Sequence, residues 1–219
     1  MSTVINPSPL TQNPRGNGSN GGSEDLSGQR VTQLPRQTSS TGITIGLCAI
    51  TMSFAALSSA MMVRKGSNDW KHIDVPWLLY LNTVVLIASS MTLEVGRRRV
   101  ATFMRTAGTD ASTHHPARWL EATLGLGLAF LTGQLIAWHQ LAERGFYVAT
   151  NPSSSFFYVL TAGHALHLFG GLFGLVLVLH RLRGPVPSLR KSTIDAAAYY
   201  WHFMGVLWIY LLLLLRFQL

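Results

Sequence analysis

Five apolar blocks, each about 20 residues long and almost free of charge, run through the 219-residue chain. A block of that length crosses a hydrocarbon core of about 30 Å as a helix. Only 12% of the residues are charged, against about 25% in an ordinary soluble domain, so a soluble globular enzyme is excluded. Membrane-spanning strands are excluded as well: the strands of a lipid-exposed barrel alternate in hydrophobicity, whereas these blocks are continuously apolar. The predicted fold is an all-α integral membrane protein, a bundle of five transmembrane helices over residues 42–219. The spans are expected at about 43–63, 76–95, 119–141, 156–180 and 194–215. Residues 1–41 are rich in Pro, Ser, Gly, Asn and Gln. Such a segment buries too little apolar surface to offset its ordering entropy, and it reads as a disordered tail.

The net charge of +8 would suggest nucleic acid in a soluble protein. Here the basic residues lie between the apolar blocks, where they orient the chain in the membrane instead. Arg15, Arg30, Arg36, Arg97, Arg98, Arg99, Arg105, Arg118, Arg181, Arg183, Arg190 and Lys191 fall on one side; Arg64, Lys65, Lys71, Arg144 and Arg216 fall on the other. Twelve against five predicts a cytoplasmic N-terminus and an external C-terminus. Cys48 is the single cysteine, so an internal disulfide and a Cys-rich zinc site are both excluded.

The informative residues are polar ones inside the spans, where lipid makes them expensive. His164 and His167 share one helical face. His202 stands beside Trp201, and Gln134, Trp138 and His139 lie on the third span. A rise of about 1.5 Å per residue puts His167 roughly 16 Å below the outer surface and His202 roughly 12 Å above the inner one, levels at which they could meet. Three readings stay open: interhelical hydrogen bonding, a proton relay, and a haem or metal site. Gly163, Gly170, Gly171 and Gly174 on the histidine helix favour close packing over a cofactor cavity. Asn82, Ser89 and Ser90 read as helix–helix hydrogen bonders.

Glu94 and Glu121 stand beside Arg97–Arg99 and Arg118 at the cytoplasmic ends of their spans. They read either as boundary ion pairs or as a proton-collecting surface. The segment NPSSSFFY (residues 151–158) reads as a turn entering a helix, capped by Ser153 or Ser154. The sequence holds no Ser-His-Asp set, phosphate loop or intramembrane carboxylate pair.

Four segments then carry a resemblance: PWLLYLNTVVLIASS (76–90), QLIAWHQLAERG (134–145), SFFYVLTAGHALHLFG (155–170) and DAAAYYWHFMGVLW (195–208). In order and spacing they resemble subunit III of the haem–copper oxidases, across the whole membrane region, in a five-span form shorter than the seven-span members. The resemblance implies an accessory subunit of a terminal oxidase that stabilises the catalytic subunit and supports proton uptake, without a catalytic centre and binding no haem or copper itself. Those groups are expected on catalytic subunit I, with subunit II in the same complex; phospholipid and a larger respiratory supercomplex are further partners it admits. It favours a structural, interhelical role for Asn82, Gln134, Trp138, His164, His167, Trp201 and His202. The competing functions are an accessory subunit of a nitric-oxide reductase and a histidine-ligated b-type cytochrome. Three acidic positions of the family fall on Ile50, Ala137 and Gly205 here, which weakens any proton-linked role carried by the chain's own carboxylates.

Overall fold

The structure, a computed structural model, describes residues 38–66, 70, 76–106, 117–148, 150–183 and 191–218. Among them lie five helices: α1 (Thr38–Arg64), α2 (Leu78–Thr106), α3 (Ala117–Glu143), α4 (Pro152–Arg183) and α5 (Lys191–Gln218). Each is long and apolar enough to cross a membrane, and the protein is an integral membrane protein with no strand among the described residues. Residues 1–37 of the tail expected over 1–41 lie outside the described residues.

The helices outrun the apolar blocks that announced them. An apolar run marks only the stretch in contact with hydrocarbon, while a helix of 27 residues spans about 40 Å. The boundary expected between residues 41 and 42 therefore falls inside α1, whose first turn begins at Thr38. The second span, expected to end near residue 95, continues to Thr106 through Arg97, Arg98 and Arg99.

Packing arranges α2, α3, α4 and α5 in a closed ring in which each touches the next and α5 returns to α2. α1 stands outside this ring and touches only α4 and α5 among the described helices. The most apolar stretch of α1 is 11% buried, against 50% for that of α5. Inside the ring the core is aromatic and aliphatic: Leu86 and Leu93 of α2, Phe130 of α3, Leu168 and Leu175 of α4, Trp201, Met204 and Trp208 of α5. Outside it large apolar side chains are exposed, among them Val84, Leu128, Leu166, Phe169, Phe173 and Val206. A water-soluble fold would not tolerate such a surface; a lipid-facing one requires it.

The turn between α3 and α4 shows how local chemistry sets the ends. Gly145 takes φ +83°, its N–H donates to the Ala142 carbonyl at 2.9 Å, and the Phe146 N–H donates to that of Leu141 at 3.2 Å. This is a Schellman motif, and only glycine takes that φ without strain. Tyr158 of α4 locks the turn with a hydroxyl shared between the carbonyls of Phe146 (3.0 Å) and Trp138 (3.2 Å). α4 then starts with Pro152 in its first helical position and Asn151 as its cap residue, since the Ser155 N–H donates back to the Asn151 carbonyl. Ser153 and Ser154 thus sit inside the helix, not at its cap. Ser154 still contributes as in a capping box, its hydroxyl accepting the Asn151 N–H at 3.3 Å.

Candidate functional site

The interior of the ring is stitched by side chains that lipid cannot satisfy. Trp201 Nε1 donates to Ser89 Oγ at 2.8 Å and Trp208 Nε1 to Thr83 Oγ1 at 3.0 Å, joining α5 to α2. Thr92 and Thr123 share a hydroxyl bond of 2.9 Å between α2 and α3. Trp138 Nε1 donates to Thr161 Oγ1 at 3.1 Å, joining α3 to α4. Asn82 is buried, with Nδ2 3.5 Å from the Phe130 carbonyl oxygen, a long bond at the edge of useful strength. Each indole here presents its ring to the core and its N–H to a hydroxyl, which satisfies a donor that would otherwise be stranded in a dry interior.

Close backbone approach makes these bonds reachable. A side-chain carbon on Gly133 would collide with the Asn82 carboxamide. One on Gly127 would lie 2.8 Å from both Leu172 Cδ2 and Trp201 Cη2. Neither glycine stands out in the sequence, because both sit on α3, away from the histidine helix where glycines cluster. Of that cluster, Gly171 is tight against Tyr200 (2.9 Å) and Gly163 makes ordinary contact with Phe54 (3.6 Å). Gly170 and Gly174 have nothing within 4 Å, so the expectation that all four mark close packing holds for Gly171 and fails for these two, which lie outside the tight interface.

The three histidines are not brought together. His164 is fully buried, its ring 5.0 Å from that of Trp208 and 5.9 Å from that of Phe130. His167 turns toward α1, where its ring meets Phe54 at 5.8 Å, while Nδ1 donates to the Gly163 carbonyl of its own helix at 2.7 Å. His202 faces α2, with Nε2 3.9 Å from a Glu94 carboxylate oxygen. The expected levels agree: Tyr200, two residues before His202, donates its hydroxyl to the His167 carbonyl at 2.9 Å. Rotation about the helix axes separates the rings, and the hydrogen bond expected between His167 and His202 does not form. Among the described residues no group of three or more His, Cys, Asp or Glu side chains could hold a metal ion.

Charge gathers at one end of the bundle. Arg97 Nε and Nη2 both approach the Glu94 carboxylate at 2.8 Å, and Arg98 Nε reaches it at 2.8 Å. Arg97 Nη1 also holds Asp195 of α5 at 2.9 Å. Glu121 pairs with Arg183 of α4 at 2.5 Å, not with the neighbouring Arg118, and Arg99 lies over the Trp119 ring at 5.2 Å. Asp195 is the partner the sequence reading missed: it lies 98 positions from Arg97, and only the antiparallel pairing of α2 with α5 connects them. At the opposite end Lys65 Nζ donates to the Phe217 carbonyl at 3.2 Å and Trp70 Nε1 to that of Gln218 at 3.2 Å. Both serve carbonyls at the C-terminal end of α5 that the helix itself leaves unpaired.

Of the three positions that the resemblance reads as acidic in the family, Ile50 is half-buried on α1 and Ala137 is buried on α3. Gly205 on α5 leaves room for a Cβ 3.5 Å from Ser90 Oγ.

The chain matches cytochrome c oxidase subunit III over residues 48–218. It is 31% identical to cytochrome c oxidase subunit 3 of Corynebacterium diphtheriae over 207 residues, covering 90% of this chain and 97% of that one. Against cytochrome c oxidase subunit 3 of Synechocystis sp. it is 33% identical over 180 residues, 79% of this chain and 72% of that protein. The lamprey Petromyzon marinus protein of the same name is 33% identical over 67% of this chain and 51% of its own length. The match takes in every bond of the seam and nearly the whole of the five helices, and the chain belongs to the cytochrome c oxidase subunit III family.

Proposed function

We propose that the chain is the accessory, non-catalytic subunit III of a respiratory haem–copper terminal oxidase. It packs against the catalytic subunit and steadies it, while haem and copper stay on the partner subunits. The observation that carries this reading is the family match over residues 48–218, which covers all but the first turns of the bundle. The interior supports it: the seam uses Trp138, Trp201, Asn82 and their hydroxyl partners to join helices. His164 is wedged between aromatic rings of two other helices.

The roles of Glu94 and Glu121 follow from their partners. Each carboxylate is engaged by arginine, and the pairs tie α2 to α5 and α3 to α4. We assign them as clasps at the charged end rather than as free proton carriers. With Ile50, Ala137 and Gly205 at the family's acidic positions, the subunit's contribution is stabilisation of its partner. The same charged end is placed on the cytoplasmic side of a bacterial-type inner membrane, from the distribution of Lys and Arg.

Purification through a tag on this chain, followed by identification of what accompanies it, tests the reading. The expected companions are the catalytic and copper-bearing subunits of an oxygen reductase. Recovery with nitric-oxide reductase subunits, or alone as a haem-bearing protein, would overturn it.

A further inference from the structure

Two side chains at the centre of the bundle stand apart from the seam. Gln134 and His164 are buried to 1% and 0% exposure, and neither the carboxamide atoms of Gln134 nor the ring nitrogens of His164 meet a protein partner. Their buried polar neighbours do: Thr161 bonds Trp138 and the Phe157 carbonyl, Ser89 bonds Trp201, and Thr123 bonds Thr92. A buried polar group left unbonded is destabilising, so a pair of them in one interior calls for a ligand.

Register puts the two on one interface. On α3, Gln134 lies four residues from both Phe130 and Trp138 and so shares their face. Phe130 meets the His164 ring, and Trp138 bonds Thr161, one helical turn earlier on the antiparallel α4. Gln134 therefore faces the stretch of α4 between Thr161 and His164. The third buried group without a partner among the described residues, Ser153 Oγ, is eleven residues before His164, roughly 16 Å along the axis, and belongs to another part of the helix.

We propose that Gln134 and His164 bind a water molecule between α3 and α4. The ligand class follows from the lining. Among the described residues, Phe130 and Trp208, which meet the His164 ring, and Trp138 and Thr161, which pair across the same interface, are all neutral and offer nothing to balance an ion. Gln134 offers two donors and one acceptor, and a neutral imidazole offers one of each. A water that donates to the imidazole acceptor and to Gln134 Oε1 serves both side chains at once, and internal waters make about three such bonds. Trp208 cannot take its place, because its N–H is committed to Thr83. The inference concerns the interior of this chain and stands whatever complex the subunit joins.

The test is a cryo-EM map of the purified native complex containing this chain, at a resolution that shows ordered water. The expected result is a peak within hydrogen-bond distance of a His164 ring nitrogen and of the Gln134 carboxamide. A direct bond between the two side chains, or a dry interface, would overturn the proposal. Variants give a second readout, the rate at which the subunit is lost from the complex in detergent. Gln134→Leu and His164→Phe each strand the other side chain and should raise that rate about fivefold or more. The double substitution removes both polar groups and should return the rate to within about twofold of the native value. A double variant as unstable as the product of the two single effects would contradict a shared water, and so would single variants that keep the peak.

Discussion

Gly133 and Asn82 show how tightly single residues are specified. The Asn82 carboxamide occupies the space a side chain at 133 would need, and it rests beside the Phe130 carbonyl because the backbone of α3 comes that close. Gly133→Ala should therefore force Asn82 out of place and destabilise the α2–α3 contact by about 1–3 kcal/mol. Gly170→Ala, where nothing lies within 4 Å, should be neutral or slightly stabilising through its better helix propensity. Thermal unfolding of the two variants in the same detergent separates them; equal effects would mean the close approach at Gly133 is not what holds the interface. These residues also show what a sequence discloses at this scale. Indoles and hydroxyls in lipid-spanning helices announce that they need partners, and Asn82, Trp138 and Trp201 were readable as interhelical for that reason. Which glycine is indispensable was not readable, because that depends on what the facing helix presents at the same height. The same limit explains the histidines: rise per residue gives a level in the membrane, but the rotation that sends His167 toward Phe54 and His202 toward Glu94 comes only from packing.

Among the elements, α1 differs from the other four in how little holds it. Phe54 and Met61 are its buried large side chains, and Phe54 packs against His167 and beside Gly163 of α4. In lipid there is no hydrophobic drive to replace that contact, since the tails are as apolar as the side chain. Phe54→Ala should loosen α1 alone: hydrogen exchange of its amides should rise while α2, α3, α4 and α5 keep native protection. A uniform rise through all five helices would place α1 within the cooperative core instead. The clasp between α2 and α5 belongs to this scale as well. Arg97 is about one-third exposed (33%) and bonds both Glu94 and Asp195. Arg97→Gln should cost less than about 1 kcal/mol, and the difference from native should shrink in high salt. Detergent stability measured at low and high ionic strength reads both; a large, salt-independent loss would show that the pair is deeply desolvated. The number and approximate extent of the helices were legible from apolar run length alone. Their true ends were not, because Arg97–Arg99 continue α2 in a region where no hydrocarbon selects for apolar residues.

For the whole molecule, charge placement and ring closure point the same way. The ion pairs of Glu94, Asp195 and Glu121 gather at the end that also holds Arg97, Arg98, Arg99 and Arg183, while Lys65 and Trp70 serve the other end. Reporter fusions at Gly184 and Leu219 should report the cytoplasm and the outside respectively; the reverse pattern would overturn the orientation drawn from the basic residues. The family was legible in four segments of sequence because they carry the seam itself: Asn82 and Ser89 in the first, Trp138 in the second, Thr161 in the third and Trp201 in the fourth. The proposed function has this chain support a redox enzyme while haem and copper stay on the partner subunits. Its most direct test is the absorption spectrum of the tag-purified complex before and after the chain is stripped from it by detergent. The Soret band and the copper should remain entirely with the partner fraction, and the separated chain should be colourless. A haem retained by the separated chain, and lost on His164→Phe, would contradict the account.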